Sequence, residues 1–161
     1  MGLHNMTQTI DERLKDLGLE VPQVSAPTAN YVPTKQLASI LYVSGQIPKL
    51  DGLAQYVGKV GDTISLEDAR QAARLCALNM VAQLKAALGG DLDRVAGCLR
   101  VRGFVNAVPD FKAHAAVMNG ASDLLVEIFG DKGRHTRTAI GVGSLPQGVA
   151  VEVDADFSIL G

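Results

Sequence analysis

From Val149 to Ile159 the chain alternates almost without fault. Val149, Val151, Val153, Ala155, Phe157 and Ile159 fall on one side; Ala150, Glu152, Asp154, Asp156 and Ser158 fall on the other. A period of two held over this length predicts a strand with one face in a core. Arg137 to Val142 reads as a preceding strand. The Ser-Leu-Pro-Gln-Gly stretch between them, with Pro146 and Gly148, reads as the turn of a hairpin. Such a hairpin would bring the cation Arg137 and the acid Glu152 together as a small polar site on a sheet face. By pattern alone the plainer reading is stronger: outward acids on a strand are usually a solvated face, and an arginine at a strand end is usually surface charge.

The rest of the chain alternates between the two periods. Residues 1–8 carry no pattern and read as a loose end, with Met6 a possible alternative start. Thr9 to Leu17 is a short amphipathic helix: Thr9 as N-cap with Glu12 three residues on has capping-box spacing, and Gly18 follows as a stop. Glu20 to Ala29, with Pro22 and Pro27, reads as an extended connection. Asn30 to Leu37 is an edge strand broken at Pro33, and Ser39 to Gln46 a stronger strand. Pro48 to Gly52 is a turn and Gln55 to Val60 a short strand. Ser65 opens a long helix whose stripe runs Leu66, Ala69, Ala73, Cys76, Met80, Leu84 and Leu88, and Gly89-Gly90 ends it. Asp91 to Ala96 fits one helical turn. Leu99 to Val108 is a strand with Leu99, Val101, Gly103 and Val105 on one face and Arg100, Arg102, Phe104 and Asn106 on the other. Pro109-Asp110 starts a second helix to about Phe129, with Phe111, Ala115, Met118, Leu125 and Ile128 inward. Gly120 in its middle, costing about 1 kcal/mol against alanine, marks a bend or a close approach.

The order is hairpin, helix, strand, helix, hairpin. Two helices over one face of a mixed sheet make an α+β layer, read as a single domain over 1–161 with residues 1–28 as an N-terminal extension and 29–160 as the core. The other sheet face, carrying Tyr42 and Phe104, has no cover within the chain, which points to a partner subunit.

Composition narrows the function classes. Apolar residues are 47% of 161, enough for a real core, and charged residues 20%. The formal net charge of −2 argues against a generic nucleic-acid binder, which needs clustered Lys and Arg. No apolar run approaches a membrane span and no signal-peptide pattern opens the chain, so the expected location is the cytoplasm. Cys76 and Cys98 form no motif and read as buried free thiols. His4, His114 and His135 are scattered, so no metal site is expected.

Several segments together resemble the RidA/YjgF family of reactive-intermediate imine deaminases, also described as endoribonuclease L-PSP-like. They are Tyr31-Val32; Ser44-Gly45-Gln46-Ile47-Pro48; Asn119; Arg137 with its strand; Leu145-Pro146; and Val151-Glu152-Val153-Asp154-Ala155, in the family's order from about residue 28 to 160. The resemblance implies a chorismate-mutase-like α+β fold and a homotrimer with clefts between subunits. It implies that Arg137 grips the substrate carboxylate, that Glu152 positions a water or moves its proton, and that Tyr31, Ser44 and Asn119 line the cleft. The implied reaction is hydrolysis of 2-imino or 2-enamino acids to 2-keto acids and ammonia, without cofactor. A guanidinium fork suits a carboxylate, and a nearby carboxyl suits proton transfer. The chain departs from the best-known members at Ala139, where a cysteine is common, and in the helix around Thr9–Leu17. The missing cysteine and the altered stretch MNGASDLLVEIFGDKGRH of the second helix leave room for the alternative of a non-catalytic trimer that binds small carboxylates. Ribonuclease action finds no basic stripe or histidine pair, and a chorismate-mutase-like rearrangement rests on fold analogy alone.

Overall fold

The computed structural model describes residues 7–24 and 29–161. Residues 1–6 of the loose end read over 1–8, with the alternative start at Met6, lie outside it, as do residues 25–28 of the extended connection. Helix α1 (Ile10–Asp16) has the expected capping box: the Glu12 amide donates to the Thr9 hydroxyl, and the Glu12 carboxylate accepts from the Thr9 amide. It buries Leu14 and is tied to the body by Lys85, whose Nζ lies 2.8 Å from Asp11.

The strands are β1 (Thr34–Leu37), β2 (Ile40–Gln46), the short pair β3 (Lys49–Leu50) and β4 (Leu53–Ala54), β5 (Val95–Asn106), β6 (Thr136–Val142) and β7 (Val151–Ile159). Five of them form one sheet in the order β1-β2-β7-β5-β6. Every neighbouring pair is antiparallel except β5 and β6, which run parallel. Helices α2 (Leu66–Ala87) and α3 (His114–Phe129) cover one face of this sheet. The α+β reading with two long helices on one face therefore holds.

Packing of the helices follows from small residues. The Ser65 hydroxyl caps α2 by accepting from the Asp68 amide, and the buried stripe is Ala69, Ala72, Ala73, Cys76, Ala77, Met80 and Leu84. So many alanines let backbones approach. A Cβ on Gly120 of α3 would stand 2.1 Å from the Arg70 carbonyl oxygen of α2, so Gly120 marks a close approach. Leu41 and Val43 of β2, Val101 and Val105 of β5, and Val151, Val153, Ala155 and Phe157 of β7 meet the helices as one core. Each large aliphatic side chain fully buried there contributes about 1.5–3 kcal/mol. Both cysteines are buried and free; burial pushes the Cys98 thiol up to about 12, with Asp156 adding to it.

Several sequence expectations are corrected. The C-terminal hairpin does not form: β5 lies between β6 and β7, and β6 is an edge strand. The Pro146–Gly148 turn is present, with Gln147 at φ 56°, but the connection crosses the end of β5 instead of folding back on β6. It is pinned there by Lys59, whose ammonium donates to Gly143 O (2.6 Å) and Asn106 Oδ1 (2.7 Å), while the Asn106 amide donates to Val149 O (3.2 Å). Asn106 is accordingly buried at 6% exposure rather than outward. A register irregularity between Cys98 and Arg100 turns Leu99 outward, to 42% exposure. The turn at residues 48–52 is the β3–β4 hairpin, and Gln55–Val60 makes only isolated bridges at Val57 and Val60. Helix α3 starts at His114, and Ala115 faces out.

Among the described residues nothing covers the sheet face away from the helices. Tyr42 (40% exposed) and Ile140 (46%) stand on it with the half-buried Phe104. Arg102 crosses it to pair with Asp154 and, at 3.2 Å, with Asp156.

Candidate functional site

The five sequence candidates fall into two groups. The first lies at the bulged end of β2. There the pairing between β2 and β7 shifts between Val43 and Gln46, so Gly45 opens toward β7. The Glu152 carboxylate fills that opening: a Cβ on Gly45 would stand 2.2 Å from Glu152 Oε1. The glycine of the Ser44-Gly45-Gln46 run is therefore the seat of the carboxylate. Ser44 fastens the neighbouring loop, its hydroxyl donating to Val32 O and its amide to Pro33 O, both at 2.9 Å. That loop presents Tyr31, 56% exposed, to a cleft of about 700 Å³ that Glu152, Gly45, Gln46 and Gln147 also line. Asn79 holds the rim by donating to Ile47 O and Lys49 O, each at 3.0 Å.

Glu152 is half-buried, and among the described residues it has neither a cation nor a hydrogen-bond donor. Burial raises its pKa above the usual glutamate range, and the neighbouring Asp154 charge raises it further. A carboxyl held this way moves toward the pH at which it exchanges protons readily.

The second group gathers around Arg137. Its Nη1 donates to Asn119 Oδ1 (2.9 Å) and Ser122 Oγ (3.1 Å), and its Nη2 to Ala115 O (3.4 Å). Asn119 and Arg137, eighteen residues apart, are thus brought together by α3 and β6. Ser122 in turn touches His135 Nε2 at 2.9 Å, and His135 Nδ1 lies 2.6 Å from Gly133 O. Burial lowers the His135 pKa and the Arg137 charge lowers it too, while the bond to Gly133 works the other way.

Within one chain the two groups do not meet. Arg137 sits beside Val101 of β5, which points into the core under the helices; Glu152 sits opposite Phe104, which points to the uncovered face. Residues an odd number apart on a strand face opposite ways, so the sheet itself separates the guanidinium from the carboxylate. The polar pair expected from a hairpin is absent for this reason, and so is a structural ion pair between Arg137 and Glu152. Ser122 and His135 were missed in the sequence. One signal was available: His135, Arg137 and Ala139 share a parity, so a histidine preceding the arginine by two lies on its side. Among the described residues no group of three or more His, Cys, Asp or Glu is placed to hold a metal ion, and no helix is long and apolar enough to cross a membrane.

Comparison with known proteins matches residues 11–151 to the family model described as "YjgF/chorismate_mutase-like, putative endoribonuclease". Protein TCP17 of Trypanosoma cruzi is 46% identical over 143 residues, covering 88% of this chain and 89% of that protein. The crystal structure of Atu1372 from Agrobacterium tumefaciens, a protein of unknown function, is 43% identical with a TM-score of 0.88 and covers 94% of both chains. The crystal structure of "a putative endoribonuclease" from Shewanella oneidensis MR-1 is 37% identical with a TM-score of 0.90, covering 94% of this chain and all (100%) of its own.

Proposed function

The chain belongs to the YjgF/chorismate-mutase-like family, the RidA/YjgF family of the sequence resemblance, and on that premise we propose that it hydrolyses 2-imino and 2-enamino acids to 2-keto acids and ammonia at a site shared between subunits. Arg137 binds the substrate carboxylate, with Asn119 beside it. An enamine first takes a proton at carbon to become the imine; Glu152, facing the cleft lined by Tyr31, then takes one proton from the attacking water and passes it to the imine nitrogen, giving a carbinolamine. As the carbinolamine collapses, its hydroxyl proton also passes to nitrogen, so C=N is replaced by C=O and ammonia leaves with no net oxidation. Ser44 acts by holding the Tyr31 loop.

The observation that carries this reading is the separation of Arg137 and Glu152 by the sheet, with Glu152 half-buried, raised in pKa and without a cation among the described residues. A half-buried carboxyl so placed is supported best by a cation from a second copy. The uncovered face with Tyr42, Phe104 and Ile140 offers apolar surface for that copy. A ring of three copies, each giving its Arg137 edge to the next one's Glu152 cleft, closes such a head-to-tail contact. We place this trimer in the cytoplasm and assign the whole chain to one domain.

Ala139, on the arginine's side of β6 where many relatives carry a cysteine, favours a second reading as a non-catalytic carboxylate-binding trimer. The two are separated by ammonia release from 2-iminobutanoate, made in situ by a threonine dehydratase. The enzyme reading expects acceleration by the wild type and none by Arg137→Ala or Glu152→Gln. A folded wild type that matches the no-protein control overturns it. Keto-acid binding that needs Arg137 but tolerates Glu152→Gln would then favour the binder.

A further inference from the structure

We propose that Ser122 and a neutral His135 form a positioning relay that fixes Arg137 in one rotamer and reserves one edge of its guanidinium for the ligand carboxylate; this rests on the proposed carboxylate role of Arg137. The proton positions follow from donor and acceptor chemistry with the ring neutral, the form its burial favours. The Gly133 carbonyl can only accept, so His135 Nδ1 carries the hydrogen of the 2.6 Å contact. In the neutral ring Nε2 is then bare and accepts the Ser122 hydroxyl across 2.9 Å. With its proton committed to the histidine, Ser122 Oγ offers its lone pairs to Arg137 Nη1 at 3.1 Å. Every polar atom of the run is satisfied in one direction only, from guanidinium to serine to imidazole to backbone.

The consequence falls on the five N–H groups of Arg137. Both hydrogens of Nη1 are taken, by Asn119 and Ser122, and one of Nη2 is directed at Ala115 O. Nε–H and the remaining Nη2–H have no partner among the described residues. These two make the side-on edge that matches a carboxylate bidentately. The backbone end of the relay is packed against the helix: a Cβ on Gly133 would stand 2.2 Å from Leu125 O, so the 3-10 turn Gly130–Gly133 is seated directly on α3. Of the charged groups around His135, Arg137 is the one that acts on its titration, and it opposes protonation. A carboxylate docked on Arg137 neutralises that charge and should raise the His135 pKa.

Two measurements on the full-length protein test this. Nitrogen-15 NMR of the imidazoles, few enough to resolve in a chain with three histidines, should show His135 as the Nδ1–H tautomer with a pKa that rises when 2-oxobutanoate binds. In Arg137→Ala the pKa should be raised already and should not respond. Calorimetric titration with 2-oxobutanoate should show Ser122→Ala about tenfold weaker, the loss of one hydrogen bond to a charged group, and Ser122→Thr, which keeps the hydroxyl, close to wild type. An Nε2–H tautomer, or equal affinity in Ser122→Ala and wild type, overturns the relay. If the wild type binds no 2-oxo acid, the carboxylate-site reading fails instead, and the tautomer alone then decides whether the serine and histidine hold the arginine as described.

Discussion

Gly45→Ala isolates the position of one carboxylate from everything else in the fold. Gly45 has no left-handed backbone, so alanine fits its conformation without strain. The new Cβ would lie 2.2 Å from Glu152 Oε1, 3.1 Å from Cδ and 3.3 Å from Cγ. Ordinary contact begins near 3.4 Å, so the carboxylate must retreat by about 1 Å. The moving group is the free end of a flexible side chain, and turning it off its rotamer costs about 0.5–1.5 kcal/mol. Removing a glycine from the unfolded chain returns about 0.4–1 kcal/mol. The two nearly cancel, so Tm should stay within a few degrees of wild type. Catalysis has no such offset: a 1 Å misplacement of a reacting group can cost about 10²-fold. Ammonia release from 2-iminobutanoate should therefore fall by about that factor in a protein that remains folded and assembled. Activity within twofold of wild type would refute the claim that Glu152 works from its seat over Gly45. A variant that unfolds would show that the carboxylate is not the element that yields.

The same substitution in α3 should do the reverse. Gly120→Ala meets only α2 backbone, 2.1 Å from the Arg70 oxygen and 2.9 Å from its carbonyl carbon, so overpacking of about 1–3 kcal/mol should outweigh the helix-propensity gain of about 1 kcal/mol and lower Tm; a higher Tm in a thermal melt would contradict the close approach. In chains kept dissociated by dilution, where no second copy's Arg137 faces the carboxyl, Glu152→Gln should raise Tm at pH 7. A carboxyl whose folded pKa is raised favours the fold only while protonated, so it loses stability as pH rises above its ordinary value of 4.5, and the advantage of glutamine should vanish below that pH; no difference between melts at pH 7 and pH 4 would contradict the raised pKa. Arg102→Ala leaves the part-buried Asp154 and Asp156 without their cation and should cost about 1–3 kcal/mol in denaturant unfolding at pH 7, less in acid as the aspartates protonate. A loss that does not shrink in acid would contradict the charge origin.

The element periods were readable because each buried face is made by local alternation. The capping box at Thr9, the Ser65 cap and the unbroken alternation of β7 appear in the fold as written, and the α2 stripe is buried from Ala69 onward while Leu66 stands 42% exposed. What local pattern does not encode is which strand lies beside which. The Pro146–Gly148 signal correctly marks a turn, yet the strand after it pairs with β2 and β5, because α3 carries the chain across to a parallel edge. That single difference decides the site, since a hairpin would have joined Arg137 and Glu152 and the real order parts them. Asn106 shows the same limit: its alternation places it outward, and a distant lysine, Lys59, holds it in. Gly45 was legible as part of a motif, but its reason, a carboxylate resting on its Cα, is a tertiary contact.

The most direct test of the account mixes two inactive proteins. Arg137→Ala keeps Glu152, and Glu152→Gln keeps Arg137. Refolded together in equal amounts, they should form mixed rings. If each site draws its arginine from one copy and its glutamate from the next, about a quarter of the sites are complete, as expected for random head-to-tail assembly. Ammonia release should then recover to about a quarter of wild type. A mixture no more active than its parents would contradict a site shared across subunits.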